Sequence, residues 1–115
     1  LEVVINWTPE RIEKEIRTVF KEAPNTAVAV AKSESGGTLK KEVRSQNIIS
    51  YGQEKSYCTF QIHAPVWDSV AKELGYGDYR TNPESCVKMA YYIYKDAGGF
   101  TPWTEYNNGN YKRHL

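Results

Sequence analysis

Three times the chain sets a polar capping residue directly before a proline: Thr8-Pro9, Asn82-Pro83 and Thr101-Pro102. The cap oxygen satisfies an orphan amide of a helix's first turn, and proline lacks an amide that would be orphaned there anyway, so each pair reads as a helix start. The first helix is expected over about Pro9 to Glu22, with Ile12, Ile16, Val19 and Phe20 on one stripe and Ala23-Pro24 as its stop. The fourth is expected over about Pro83 to Ala97, burying Val87, Ala90, Tyr91 and Tyr94 before Gly98-Gly99. A short fifth helix is expected after Pro102, with a turn near Gly109.

Between these lies a helix of another kind, about Thr26 to Ser35, carrying the run Ala27-Val28-Ala29-Val30-Ala31 and ending at Gly36-Gly37. Small apolar residues all round imply a helix packed on several sides, the central one of the domain. Residues 38–57 have no helical period and contain Gly52. They read as an irregular loop or small hairpin, with Asn47-Ile48-Ile49-Ser50-Tyr51 as one candidate strand. After Thr59-Phe60-Gln61-Ile62, a third helix should start near Pro65, bury Trp67, Val70, Ala71 and Leu74, and end at Gly75 and Gly77. No repeat, linker or low-complexity stretch interrupts the 115 residues, so a mainly α single domain over 1–115 with a small irregular or β insertion is expected.

Composition excludes more than it assigns. Fifteen Lys plus Arg against fourteen Asp plus Glu leave a net charge of +1, which gives no electrostatic case for nucleic acid. Lys40-Lys41 with Arg44 reads as a solvated face. No apolar run is long enough to span a membrane. The chain begins at Leu1 without Met, which reads as a lost signal peptide or as excision from a longer protein. Cys58 and Cys86 have no metal spacing; a bridge in an oxidising compartment and two buried thiols are both open readings.

Glu34 is the outlier in the central helix. Positions 27, 30, 31 and 34 share one face, so its carboxyl continues the face of Ala27, Val30 and Ala31. Desolvation there and the negative end of the helix dipole both favour the neutral acid, which a proton donor needs. The plainer alternative is a Glu reaching solvent at a helix end. His63 and His114 stand alone, no Ser has a nucleophile-elbow context, and no phosphate-cradling Gly loop is present. By elimination, catalysis here is carboxylate-driven, with no metal and no cofactor.

Several segments together carry a resemblance. Ala31-Lys32-Ser33-Glu34-Ser35-Gly36 resembles the end of the catalytic helix in the lysozyme superfamily. Ser56-Tyr57-Cys58-Thr59-Phe60-Gln61-Ile62-His63 resembles the segment that follows it after a β region. Asn82-Pro83 opening a helix, and then Trp103-Thr104-Glu105-Tyr106-Asn107-Asn108-Gly109, resemble the closing elements of lytic transglycosylases of the soluble-transglycosylase type. The likeness runs from about residue 25 to 111 in the family's order. It implies a lysozyme-like α+β fold and cleavage of the β-1,4 bond between N-acetylmuramic acid and N-acetylglucosamine in peptidoglycan. It also implies an extracytoplasmic setting: secreted, periplasmic or in a phage virion, alone or within a wall-penetrating machine.

The resemblance implies Glu34 as acid and then base, with Ser56, Gln61, Tyr92, Tyr106 and Asn107 as substrate-binding residues; Tyr91 is the neighbour a one-residue offset would select. Two departures stand out. Cys58 occupies a position where the family usually has Gly, and Ser56 stands where animal-type lysozymes carry a second carboxylate. A single carboxylate suits the transglycosylase route, in which the muramic 6-hydroxyl attacks its own anomeric carbon and leaves a 1,6-anhydro product. Glu54, and more remotely Glu42, could instead activate water as in a hydrolytic muramidase. An inactive glycan-binding or structural module is the alternative of another class.

Overall fold

The computed structural model describes residues 6–40, 42–46, 48–49 and 52–115. It is mainly α with short antiparallel strand pairs. In order, the elements are α1 (Pro9–Val19), α2 (Pro24–Glu34), β1 (Ile48–Ile49), β2 (Gly52–Gln53), β3 (Ser56–Tyr57), β4 (Ile62–His63), α3 (Ala64–Leu74), α4 (Pro83–Ala97), α5 (Thr104–Asn107) and a 3-10 turn over Asn110–His114.

Two of the three cap–proline pairs open helices as expected. Thr8 Oγ1 accepts the Arg11 amide at 3.2 Å and Asn82 Oδ1 accepts the Glu84 amide at 3.1 Å. The third does not. Thr101 and Pro102 lie in a turn closed by the Trp103 amide on the Phe100 carbonyl (3.0 Å), and α5 starts two residues later at Thr104. The cause is not local: Trp103 is buried and its indole nitrogen donates to the Phe60 carbonyl at 2.9 Å, which fixes where the chain turns.

α1 is shorter than its periodicity suggests. Phe20 leaves the helical region (φ −90°, ψ 50°), and Ala23 is outside it too (φ −150°, ψ 56°) before Pro24, which disfavours helix at the preceding residue. Pro24 then opens α2 at its own first position, two residues earlier than expected, and Glu34 is its last residue. Ile12, Ile16 and Phe20 are fully buried and Val19 partly so. Phe20 is the hub of an aromatic cluster, stacked on Phe60 at 5.5 Å and on Phe100 at 6.0 Å and edge-on to Tyr91 at 5.1 Å.

All five residues of the Ala27–Ala31 run are buried, as a helix covered on several sides requires. α1, α5 and the 3-10 turn pack around α2. α4 buries Cys86, Val87, Met89, Ala90 and Ile93, leaves Tyr91 and Tyr94 half-buried, and ends at Gly98 in the left-handed conformation (φ 76°). In α3 only Ala71 of the expected stripe is fully buried. Trp67 and Val70 pack partly, whereas Leu74 is 40% exposed because the helix ends at Gly75 before that side chain meets the core.

The insertion is built from two separate antiparallel pairs, β1 with β2 and β3 with β4. Ile48 and Ile49 of the expected strand therefore pair with Gln53 and Gly52, while Asn47, Ser50 and Tyr51 lie outside the described residues, as does Lys41. Residues 43–45 run along the other side of β3, through Cys58 N–H to the Val43 carbonyl (2.8 Å) and Ser45 N–H to the Ser56 carbonyl (3.1 Å). The open question over the cysteines has an answer: Cys58 and Cys86 form a disulfide, with Cα atoms 6.4 Å apart. Cys58 has φ 63°, the left-handed region that favours glycine. The backbone thus keeps a glycine-like turn at this position while its side chain is used to reach α4.

Candidate functional site

A cleft of about 740 Å³ opens where the end of α2 meets the insertion and the start of α5. Ser33, Glu34, Ser35 and Gly36 form one wall. Residues 42–46, Glu54 and Ser56 form the other, and Gln61, His63, Trp103 and Glu105 complete it.

Glu34 reaches the cleft because α2 ends there. The chain turns away at once through Gly36 and Gly37, both at positive φ (78° and 99°), a conformation that side chains with a Cβ resist. Ser35 secures the turn, its hydroxyl donating to the Ala31 carbonyl at 2.8 Å and also lying against the Thr38 carbonyl. Burial pushes the Glu34 carboxyl up from 4.5 to about 7. The Glu105 amide, 3.5 Å from Glu34 Oε2, acts against that rise, and the negative charges of Glu105 and Glu54 add to it. The result is a carboxylic acid that still carries its proton close to neutral pH, in a cleft wide enough for a ligand.

Glu54 also lines the cleft. Its two carboxylate oxygens accept from Ser56 Oγ and Ser45 Oγ, each at 3.0 Å, and both serines are buried. A half-buried carboxylate braced on both oxygens has a fixed aim. Ser56 is therefore at the cleft, with its hydroxyl turned toward Glu54. Gln61 is there too, at φ 50°, but its side-chain nitrogen is committed to the carbonyls of Cys58 (2.9 Å) and Val43 (3.2 Å). It holds the loop that carries the site.

Three expected binding residues stand elsewhere. Tyr92 is on the outer face of α4, 38% exposed, edge-on to Trp67 at 6.3 Å. The buried positions 86, 87, 89, 90 and 93 fix the inward face of α4, and residue 92 falls off it. Nor does Tyr91 serve instead, since its hydroxyl donates to Glu22 at 2.8 Å. Tyr106 stacks on Tyr111 at 4.9 Å and packs against Phe100, behind the cleft wall. Asn107 is exposed and its side-chain nitrogen donates to the Thr101 carbonyl at 2.8 Å, closing the turn before α5.

Glu105 was not among the expected site residues, although it sits beside Tyr106 in a segment already singled out. Its backbone amide lies 3.5 Å from Glu34 Oε2, and its carboxylate is held by side-chain donors. Its Oε1 accepts from Ser33 Oγ at 2.7 Å, and its Oε2 accepts from the side-chain nitrogens of Asn108 and Asn110, both at 3.0 Å. Burial alone would raise its pKa, but those donors and Arg113 outweigh burial and hold it below the ordinary carboxylate value. The available signal was its residue type: an acid in a segment that turns back over the end of α2.

Among the described residues, no group of three or more His, Cys, Asp or Glu side chains is placed to hold a metal ion, and no helix is long and apolar enough to cross a membrane. Comparisons with protein-family models, with curated proteins and with solved structures found no match to the chain.

Proposed function

We propose that this chain cleaves the glycan strand of peptidoglycan at the β-1,4 bond after N-acetylmuramic acid, with Glu34 as its proton donor and with a lysozyme-like arrangement of helices. The observation that carries this reading is the Glu34 carboxyl itself: half-buried at the end of a central helix and facing an open cleft, where desolvation pushes its pKa up to about 7. The order of the four sequence segments around it adds support.

In the first step Glu34 protonates the glycosidic oxygen as the bond to the anomeric carbon breaks, and the N-acetylglucosamine end leaves as an alcohol. The resulting Glu34 carboxylate then takes the proton of the muramic 6-hydroxyl as that oxygen bonds to the anomeric carbon. The product is a 1,6-anhydro ring, and Glu34 is again protonated. No water enters, so no second acid is needed.

One observation favours a second reading, hydrolysis. Glu54 lines the same cleft and is braced by Ser45 and Ser56, as a base that aims a water molecule must be. Mass spectrometry of fragments released from purified peptidoglycan separates the two. Fragments one water lighter than reducing muropeptides establish the transglycosylase route; reducing ends establish hydrolysis. No release from intact, folded protein would favour a glycan-binding or structural module and overturn the enzymatic reading. We propose an extracytoplasmic setting, which the Cys58–Cys86 bond supports because such bonds persist in oxidising compartments.

A further inference from the structure

We propose that Glu105 is a positioning residue for Glu34: clamped to α2 through Ser33 and to the following turn through Asn108 and Asn110, it keeps a negative charge beside the Glu34 carboxyl and so holds the proton there. This rests on the reading of Glu34 as the proton donor.

The geometry has three parts. First, one residue touches Glu34 and is also tied to the helix that carries it. The Glu105 amide lies 3.5 Å from Glu34 Oε2, while the Glu105 side chain accepts from Ser33, the residue immediately before Glu34. The relative position of the two acids is therefore set within a short closed circuit. Second, both Glu105 oxygens are occupied by donors: Ser33 on Oε1, Asn108 and Asn110 on Oε2. A carboxyl surrounded by three side-chain donors is stabilised as the anion, because a neutral acid would have to turn one hydroxyl toward a donor. Third, the resulting charge is fixed near Glu34, where like charge disfavours ionisation and opposes the anion-stabilising contact of the Glu105 amide.

Other charged and titratable groups line the same cleft. Glu54 opposes Glu34 from the far wall, with Glu42, Lys40, Arg44 and His63 around the rim, and Arg113 of the 3-10 turn acts on Glu105 itself. On α2, Lys32 is paired with Glu13 of α1 at 3.4 Å. Of these groups, Glu105 has its backbone amide against Glu34 and its carboxylate bonded to Ser33 of the same helix. The two acids thus divide the work. One stays charged so that the other stays neutral.

The test reads the Glu34 proton directly, without substrate. The side-chain carboxyl carbons of glutamate are labelled with carbon-13 in the full chain, and the Glu34 resonance is titrated by NMR in the wild type, Glu105→Gln and Glu105→Asp. Glu105→Gln removes the charge and should lower the Glu34 midpoint by about 0.5 on the pH scale, the contribution of a like charge across a partly solvated cleft. Glu105→Asp keeps the charge and should stay nearer the wild type. Ser33→Ala, which frees Glu105 from α2, should shift the midpoint the same way by less, and gives the answer if Glu105→Gln does not fold.

A Glu34 midpoint that is unchanged or raised when the charge is removed overturns the proposal. Because no glycan is present, that failure is separate from failure of the enzymatic reading, which would show as absence of fragment release by a wild type whose titration behaves as expected. Where cleavage is measured, the alkaline limb of the rate profile should move with the NMR midpoint, costing roughly twofold in rate near pH 7.

Discussion

Cys58 and Cys86 join the β3–β4 turn to the second turn of α4, across 28 residues of sequence, and Cys58 does so from a left-handed backbone (φ 63°). The turn held in this way carries Gln61, whose side chain in turn holds residues 43 and 58. The wall of the cleft opposite Glu34 is therefore anchored to the helical core by one covalent bond and a short set of hydrogen bonds.

Removing that bond should cost stability before it costs chemistry. The double variant Cys58→Ser, Cys86→Ser is expected to lose about 3–4 kcal/mol, the chain-entropy value for a loop of this length. Replacing Cys58 by Gly and Cys86 by Ala should recover roughly 1 kcal/mol relative to Ala at both positions, since only Gly occupies the left-handed region without a Cβ penalty. Urea denaturation of the three variants checks both values; equal stability of the Gly and Ala variants would contradict the backbone argument.

The proton on Glu34 also links stability to pH. Folding raises this carboxyl from 4.5 to about 7, so between those values the folded state holds a proton that the unfolded chain has lost. The associated stability is complete below about 4.5 and is lost as pH rises through about 7. Glu34→Gln carries no ionisable group there. Relative to the wild type it should gain about 3 kcal/mol between pH 4 and pH 8.5. Thermal unfolding across that range gives the difference, and a constant gap would show that Glu34 does not titrate high.

Activity should follow the same proton from the other side. With Glu34 as donor, the rate of fragment release falls as pH rises through about 7. A rate that continues to climb to pH 8.5 would exclude Glu34 as the acid.

Glu54 discriminates the two routes. If the muramic 6-hydroxyl is the nucleophile, Glu54→Gln keeps turnover within about tenfold, since Glu54 then serves only the cleft's charge and shape. If water is the nucleophile, the same change should cost on the order of 100-fold or more, as loss of a general base does. Initial rates with matched products by mass spectrometry decide between them.

What was legible in the sequence was local. Pro9 and Pro83 open helices because a cap oxygen and a missing amide act within one turn, and Glu34 is half-buried because its helix neighbours at 27, 30 and 31 are small and apolar. The same signal at Thr101-Pro102 fails because Trp103 answers to the carbonyl of Phe60, far away in sequence. The resemblance points to Tyr92, but which face of α4 turns inward is settled by packing, and that face excludes it. The cysteine pairing was open for a like reason, since spacing does not encode connectivity. The role of Glu105 is not legible in the sequence because its partners, Ser33 and the Asn108–Asn110 turn, meet only when the chain has folded back over α2.

The most direct test of the account is release of soluble fragments from purified peptidoglycan by the wild type and by Glu34→Gln, with circular dichroism to show that both are folded. Glu34→Gln should retain the fold and lose at least about 1,000-fold in rate, within what removal of a general acid costs. Fragment release by Glu34→Gln at a rate near that of the wild type would contradict the assignment of Glu34 as the proton donor.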